Sequence, residues 1–224
     1  MLKAVIFDFD GVITDSEILH YRGFNEVLKT FDMEIDKAEY YEKYLGLSDK
    51  DFYQTLIDEG RLPIKPAEIP GLVLKKKKIY KILAKSEGRI IEGVRPFLKM
   101  LKNNDVTLAI CSGALCAEIE FILDDAQLRD YFVTIVAADH VTQGKPHPEG
   151  FKLALQRLNV SHSPIRGREC VVIEDSHWGL EAAQGADMKT IAVTNSYPAE
   201  QLTQADKIID RLDKLTFEDV AGLC

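Results

Sequence analysis

The chain has 224 residues, enough for one or two domains with a real core. Its 46% apolar and 29% charged residues are the proportions of an ordinary soluble globular protein. A formal net charge of -8 with no basic stripe argues against nucleic acid as a partner, and no apolar run approaches the roughly 18 residues of a membrane span.

The first element is "KAVIFDF" at 3–9, an apolar run that predicts a buried strand. It begins after a single lysine, so no signal peptide is expected ahead of it. The next strand-like run lies about ninety residues further on. The intervening segment reads as four helices, Glu17 to Phe31, Asp36 to Tyr44, Asp49 to Glu59 and Pro66 to Lys85. A crossover between parallel strands needs only one helix. The segment is therefore expected to be a helical cap domain, 16–88, inserted after strand 1 of a core made of 1–15 and 89–224. Turn residues near Thr14–Ser16 and Glu87–Gly93 mark its edges. Within it, "KKKK" at 75–78 reads as a solvated helix face, with a lysine facing substrate as the alternative. Further strands follow at 106–112, 132–138, 170–175, 189–193 and, more weakly, 207–210. Their alternation with helical stretches predicts an α/β fold, a doubly wound parallel sheet built from right-handed βαβ units. The cysteines, Cys111, Cys116, Cys170 and Cys224, form no CxxC and are expected as reduced thiols of a cytoplasmic protein.

In such a sheet, ligands bind beyond the carboxyl ends of the strands. Past strand 1 come Asp8, Asp10 and Gly11; past strand 2, Ser112 and Gly113; past strand 3 and a loop, Lys145 in "GKPHPEGF"; past strand 4, Glu174 and Asp175. Each has an ordinary explanation when taken singly. An acid at a strand end can cap a helix or form a turn, and Ser112 can cap a helix starting near Ala114. Together they place four acids, a hydroxyl and a lysine on one sheet edge. Clustered carboxylates are costly to ionise unless a cation sits among them, and oxygen ligands select a hard ion such as Mg²⁺. A lysine and a hydroxyl suit phosphate oxygens. One aspartate is then free to attack phosphorus, as in enzymes that form an aspartyl phosphate. A second, two residues away, can serve as the proton-transferring acid.

"DFDGVITDS", the serine of "CSG", the lysine of "GKPHPEGF" and "VVIEDSHWGLEAAQGADM" resemble the four successive motifs of the haloacid dehalogenase-like superfamily. The order holds across the whole chain, and the cap position most resembles the β-phosphoglucomutase-like branch. The resemblance implies that Asp8 is the nucleophile and that Asp10 is the general acid and base, with metal bound through its carbonyl. It implies that Ser112, Gly113 and Lys145 hold the phosphoryl group. Asp175, with Glu174 as ligand or neighbour, completes the Mg²⁺ site. The dehalogenases proper lack an acid at the place of Asp10, which favours phosphoryl transfer.

Within that branch, His20 and Lys76 match positions of the mutases, but "LGLSDKD" departs from them. Mutases carry an arginine after the G-x-S of the cap. Here Gly46, Leu47 and Ser48 are followed by Asp49, an acid that repels a second phosphate. The expectation is therefore a phosphatase of a small phosphomonoester, a sugar phosphate or related metabolite. A mutase is the alternative, with Lys50 standing in for the arginine. A receiver-like phosphoaspartate switch is a further alternative, but receivers lack the inserted cap. His20 can also simply cover the helical core, and Trp178 is expected to pack. No partner beyond the phosphorylated metabolite is expected, and a monomer is the default.

Overall fold

Near-continuous apolar strands can be satisfied only when both faces of a sheet are covered, and the computed structural model shows this arrangement. It describes residues 1–45, 47–87, 90–161 and 164–224. The chain divides into two compact units, Met1–Asp15 with Arg89–Cys224, and Ser16–Gly88. Gly46, and residues 88 and 89 at the expected boundary, lie outside the described residues.

The first unit holds six parallel strands: β1 (Ala4–Phe7), β2 (Thr107–Cys111), β3 (Thr134–Val136), β4 (Cys170–Glu174), β5 (Lys189–Val193) and β6 (Lys207–Ile209). Their order is β3-β2-β1-β4-β5-β6, which makes the sheet doubly wound, the class of fold expected from the sequence. Chain connections run outward from β1 in one half and from β4 in the other. The topological switch point therefore lies between β1 and β4. β1 and β4 are buried throughout, and Phe7 pairs with Ile173 in register. On one face the strands meet α7 (Glu149–Ser161) and α8 (His177–Gln184), which bury Phe151, Ala154, Leu158, Ala182 and Ala183 against Ala4, Ile6 and Val172. α5 (Val94–Asn103) supplies Phe97, whose ring meets Phe7 edge-on at 6.0 Å.

The second unit is helical: α1 (Glu17–Leu28), α2 (Lys37–Lys43), α3 (Asp49–Asp58) and α4 (Ile69–Glu87). Local chemistry sets its helix starts. Asp36 accepts from the Ala38 N–H at 2.8 Å and Ser48 from the Asp51 N–H at 3.2 Å, each satisfying an end amide that the helix leaves unpaired. Its own core mixes aromatic and aliphatic side chains. Phe24 stacks on Phe52 with centroids 3.8 Å apart and meets Tyr53 edge-on at 5.6 Å. Such pairs contribute about 0.5–1.5 kcal/mol beyond the area they bury. This core lets a unit of modest length hold together as a cluster of its own.

Candidate active site

The switch point gathers the chemistry. Asp8 follows β1 directly, and its N–H donates to Ile173 O of the neighbouring β4 at 2.9 Å. Glu174 ends β4, and Asp175 follows it. All three acids are buried, and one oxygen from each lies within 4.8 Å of the others. The Lys145 ammonium bridges two of them, donating to Asp8 Oδ1 and, at 2.5 Å, to Glu174 Oε1. Ser112 follows β2, and its N–H donates to Val136 O at 2.9 Å. The structure thus brings Asp8, Lys145, Glu174 and Asp175 into one cluster. Asp10 is half-buried, two residues beyond Asp8, and its carboxylate is not one of the clustered three. Gly113 is exposed, with open space at its α-carbon.

The ordinary reading of Ser112, as cap of the following helix, does not hold. α6 (Cys116–Asp125) starts later, after Leu115, and the Ser112 hydroxyl instead accepts from the Ala114 N–H at 3.0 Å. The lysine run is not a uniformly solvated face either. Lys75 and Lys78 are exposed, but Lys76 is only 2% exposed.

The electrostatics follow from burial. Loss of water raises the Asp8 carboxyl; Lys145 opposes this, Glu174 and Asp10 add to it, and the result is about 8. Burial likewise pushes Asp175 well above the carboxylate range, with Asp8 and Glu174 adding to it. Burial disfavours the Lys145 charge too, but Asp8 and Glu174 outweigh it and hold that ammonium well above its ordinary value. One ammonium therefore faces three buried carboxylates. A hard cation among the acid oxygens relieves this imbalance, so the donor set fits such an ion. Neighbouring Cys111 is pushed up to about 12 by burial, which keeps its thiol inert at neutral pH.

Several residues that build the site carried no sequence signal. Glu174 Oε2 accepts from the Asp175 N–H at 3.1 Å, the Ser176 N–H at 3.2 Å and the Ser176 hydroxyl at 2.9 Å. The Glu174 carboxylate lies so close to α8 that a Cβ on Gly179 would stand 1.8 Å from Oε1. Gly11, at φ +76°, is in the same position against Asp175, where a Cβ would meet Oδ2 at 1.7 Å. Asp175 Oδ2 also accepts the Ser196 hydroxyl, and the Asn195 side chain donates to Gly11 O at 2.7 Å. The glycines of "DFDG" and "DSHWG" were visible as motif members, but their close approach to a carboxylate was not.

The helical unit has a polar cluster of its own. Lys76 donates to Asp49 Oδ1 at 2.7 Å and contacts His20 Nδ1 at 2.5 Å. An ammonium can only donate, so Nδ1 is the acceptor and the imidazole is neutral. Burial, and then the Lys76 charge, hold His20 well below its ordinary range. The ammonium also lies 4.6 Å from the Phe24 ring centre and 5.3 Å from that of Tyr80. His20 therefore does more than cover the core, and Lys50 is exposed on α3. Trp178 is exposed as well, rather than packed inside, and meets the His177 ring at 4.3 Å.

The family model described as haloacid dehalogenase-like hydrolase matches residues 5–193. The chain is 32% identical over 221 residues to the chloroplastic 5-amino-6-(5-phospho-D-ribitylamino)uracil phosphatase of Arabidopsis thaliana, covering 98% of this chain and 57% of that protein. It therefore spans little more than half the length of that relative. It is 28% identical to the β-phosphoglucomutase of Bacillus subtilis (strain 168), over 97% of this chain and 93% of that one. Among solved structures, CbbY from Rhodobacter sphaeroides in complex with phosphate superposes with a TM-score of 0.84 at 26% identity, covering 98% of this chain and 99% of that one. The chain belongs to the haloacid dehalogenase-like hydrolase family, in company with β-phosphoglucomutase-like members. It is an enzyme of that family, which sets aside the reading as a receiver-like switch.

Proposed function

We propose that the chain is a Mg²⁺-dependent phosphatase of a small phosphomonoester, a sugar phosphate or related metabolite, working through a phosphorylated Asp8. The observation that carries this reading is the Lys145 ammonium bridging Asp8 and Glu174 at the switch point. A nucleophilic carboxylate sits there beside a fixed cation that neutralises phosphoryl oxygens.

In the first step an Asp8 oxygen attacks phosphorus, and the bond to the leaving oxygen breaks. Asp10 delivers its proton to that oxygen, so an alcohol departs. In the second step water attacks the same phosphorus, Asp10 takes its proton, and the Asp8 carboxylate is regenerated as phosphate leaves. Lys145, the Ser112 hydroxyl and the N–H groups near Gly113 hold the non-bridging oxygens through both steps. Positioning and charge neutralisation of this kind supply most of the rate in phosphoryl transfer. Asp8, the Asp10 carbonyl and Asp175, with Glu174 beside them, would hold Mg²⁺. When bound, the ion offsets charge on the acids and on the phosphate.

The relatives named as phosphatases support hydrolysis; a relative named as a mutase supports the second reading. Asp49 favours the former. It stands where a mutase carries an arginine, and it already takes up the Lys76 ammonium, which leaves the mutase reading to the exposed Lys50. The test is a panel of phosphorylated metabolites scored for phosphate release, run beside a β-glucose 1-phosphate to glucose 6-phosphate assay, each with Mg²⁺ and with EDTA. The reading expects Mg²⁺-dependent phosphate release and no isomerised product. Isomerisation without release would establish the mutase, and full activity in EDTA would remove the metal.

A further inference from the structure

Asn and Ser in a turn after a strand ordinarily bond to amides of their own turn. Asn195 and Ser196 do not use their side chains that way. The Ser196 hydroxyl reaches Asp175 Oδ2, 21 residues back, and the Asn195 amide reaches Gly11 O, 184 residues back, at 2.7 Å. Sheet order explains how one turn touches both loops. β4 lies between β1 and β5, so the turn after β5 must pass the end of β4 to meet the loop after β1. Asp175 stands in that path. On one side it meets Gly11, where a Cβ would be 1.7 Å from Oδ2 and 2.9 Å from the Ser196 hydroxyl. On the other it is held by that hydroxyl. The carboxylate is therefore confined on both sides. The Gly11 N–H closes the turn that follows Asp8 and Asp10, donating to Thr14 O at 2.8 Å, while the carbonyl of the same residue takes the Asn195 bond.

We propose that Asn195 and Ser196 are positioning residues of the acid cluster. Ser196 fixes the rotation of the Asp175 carboxylate toward a hard cation, and Asn195 fixes the loop bearing Asp8 and Asp10 against it. This rests on the metal-dependent reading above. Neither residue touches the phosphate; each acts through the group it holds. Hydrogen-bond partners behind metal-binding carboxylates commonly contribute about 10–100-fold in affinity.

The experiment uses Mn²⁺ as the probe and calorimetry on the purified full chain. Ser196 is partly exposed and forms no part of a buried core cluster, so Ser196→Ala is expected to fold, with a metal-free melting temperature near that of the wild type. Its Mn²⁺ affinity is expected to fall about tenfold, and Ser196→Thr, which keeps the hydroxyl, to regain most of that loss. Ser196→Ala binding as tightly as wild type, or Ser196→Thr binding no better than Ser196→Ala, would overturn the Ser196 role. For Asn195, Asn195→Asp sets a carboxylate against the Gly11 carbonyl. Faster hydrogen exchange across residues 9–14 is expected, and unchanged exchange would overturn that half. Wild type that binds no Mn²⁺ would overturn both this proposal and the metal-dependent reading. Wild type that binds while the variants match it overturns this proposal alone.

Discussion

Lys76 donates to Asp49 Oδ1 at 2.7 Å from a side chain that is only 2% exposed. The pair joins residues 27 positions apart, on α3 and α4, in a unit whose buried cluster is otherwise aromatic and aliphatic. Asp49 had seemed, from sequence, a charge that repels a second phosphate. The structure gives it a more specific task, as the counter-ion that makes a buried lysine tolerable.

Asp49→Ala removes that counter-ion and strands a buried ammonium. Such a loss typically costs about 3–5 kcal/mol, and the low end, about 3 kcal/mol, is expected here because Asp49 retains some exposure. Urea denaturation measures it. A loss well below that would show that the buried ammonium does not depend on Asp49.

Asp8→Asn keeps the shape and removes the nucleophile. Turnover of p-nitrophenyl phosphate should fall at least about a thousandfold with the far-UV circular dichroism unchanged. Asp10→Asn should discriminate by leaving group. Loss should be severe for an alkyl phosphate, whose oxygen needs a proton, and mild for p-nitrophenolate, which does not. Equal losses would remove Asp10 from the acid role.

The sheet and the acid-bearing strand ends were legible because each strand announces itself twice. An apolar run such as "AVIF" marks the buried segment, and the polar residue that ends it marks the edge. Even the weak run at 207–210 proved to be β6. What the sequence did not carry was pairing at a distance. Nothing in the spacing of His20, Asp49 and Lys76 says that one ammonium contacts both partners, 56 and 27 residues away. "TNSYP" reads as an ordinary turn, because the partners of Asn195 and Ser196 follow strands brought near only by the sheet order. Ser112 shows the converse failure. A serine before a helix looks like its cap, but the chain spends three residues reaching the helix, and the hydroxyl bonds within that stretch instead.

Gly179 gives a steric test of the Glu174 geometry. Its missing Cβ would sit 1.8 Å from Glu174 Oε1, and the Gly179 N–H already bonds the Ser176 hydroxyl at 3.1 Å to start α8. Gly179→Ala must displace the carboxylate from Lys145 or shift the helix. Either response should cost about 3 kcal/mol in urea denaturation and lower kcat at saturating Mg²⁺. Normal stability with normal kcat would mean that Glu174 can be moved without consequence.

His20 sets the final expectation, for pH. Its imidazole is neutral in the folded chain because burial and the adjacent Lys76 ammonium both oppose a second positive charge. Its folded pKa lies below the unfolded value near 6.5, so on acidification the unfolded chain takes up a proton that the folded chain refuses. Stability linked to His20 is therefore complete above about pH 6.5 and falls as the pH drops below it, by at most about 1.4 kcal/mol per pH unit. His20→Gln removes the titration while keeping a polar acceptor for Lys76. Denaturation midpoints at pH 7.5 and pH 5 should fall less in His20→Gln than in the wild type. Parallel falls would show that His20 accepts its proton in the folded state and that its contact with Lys76 is not maintained in solution.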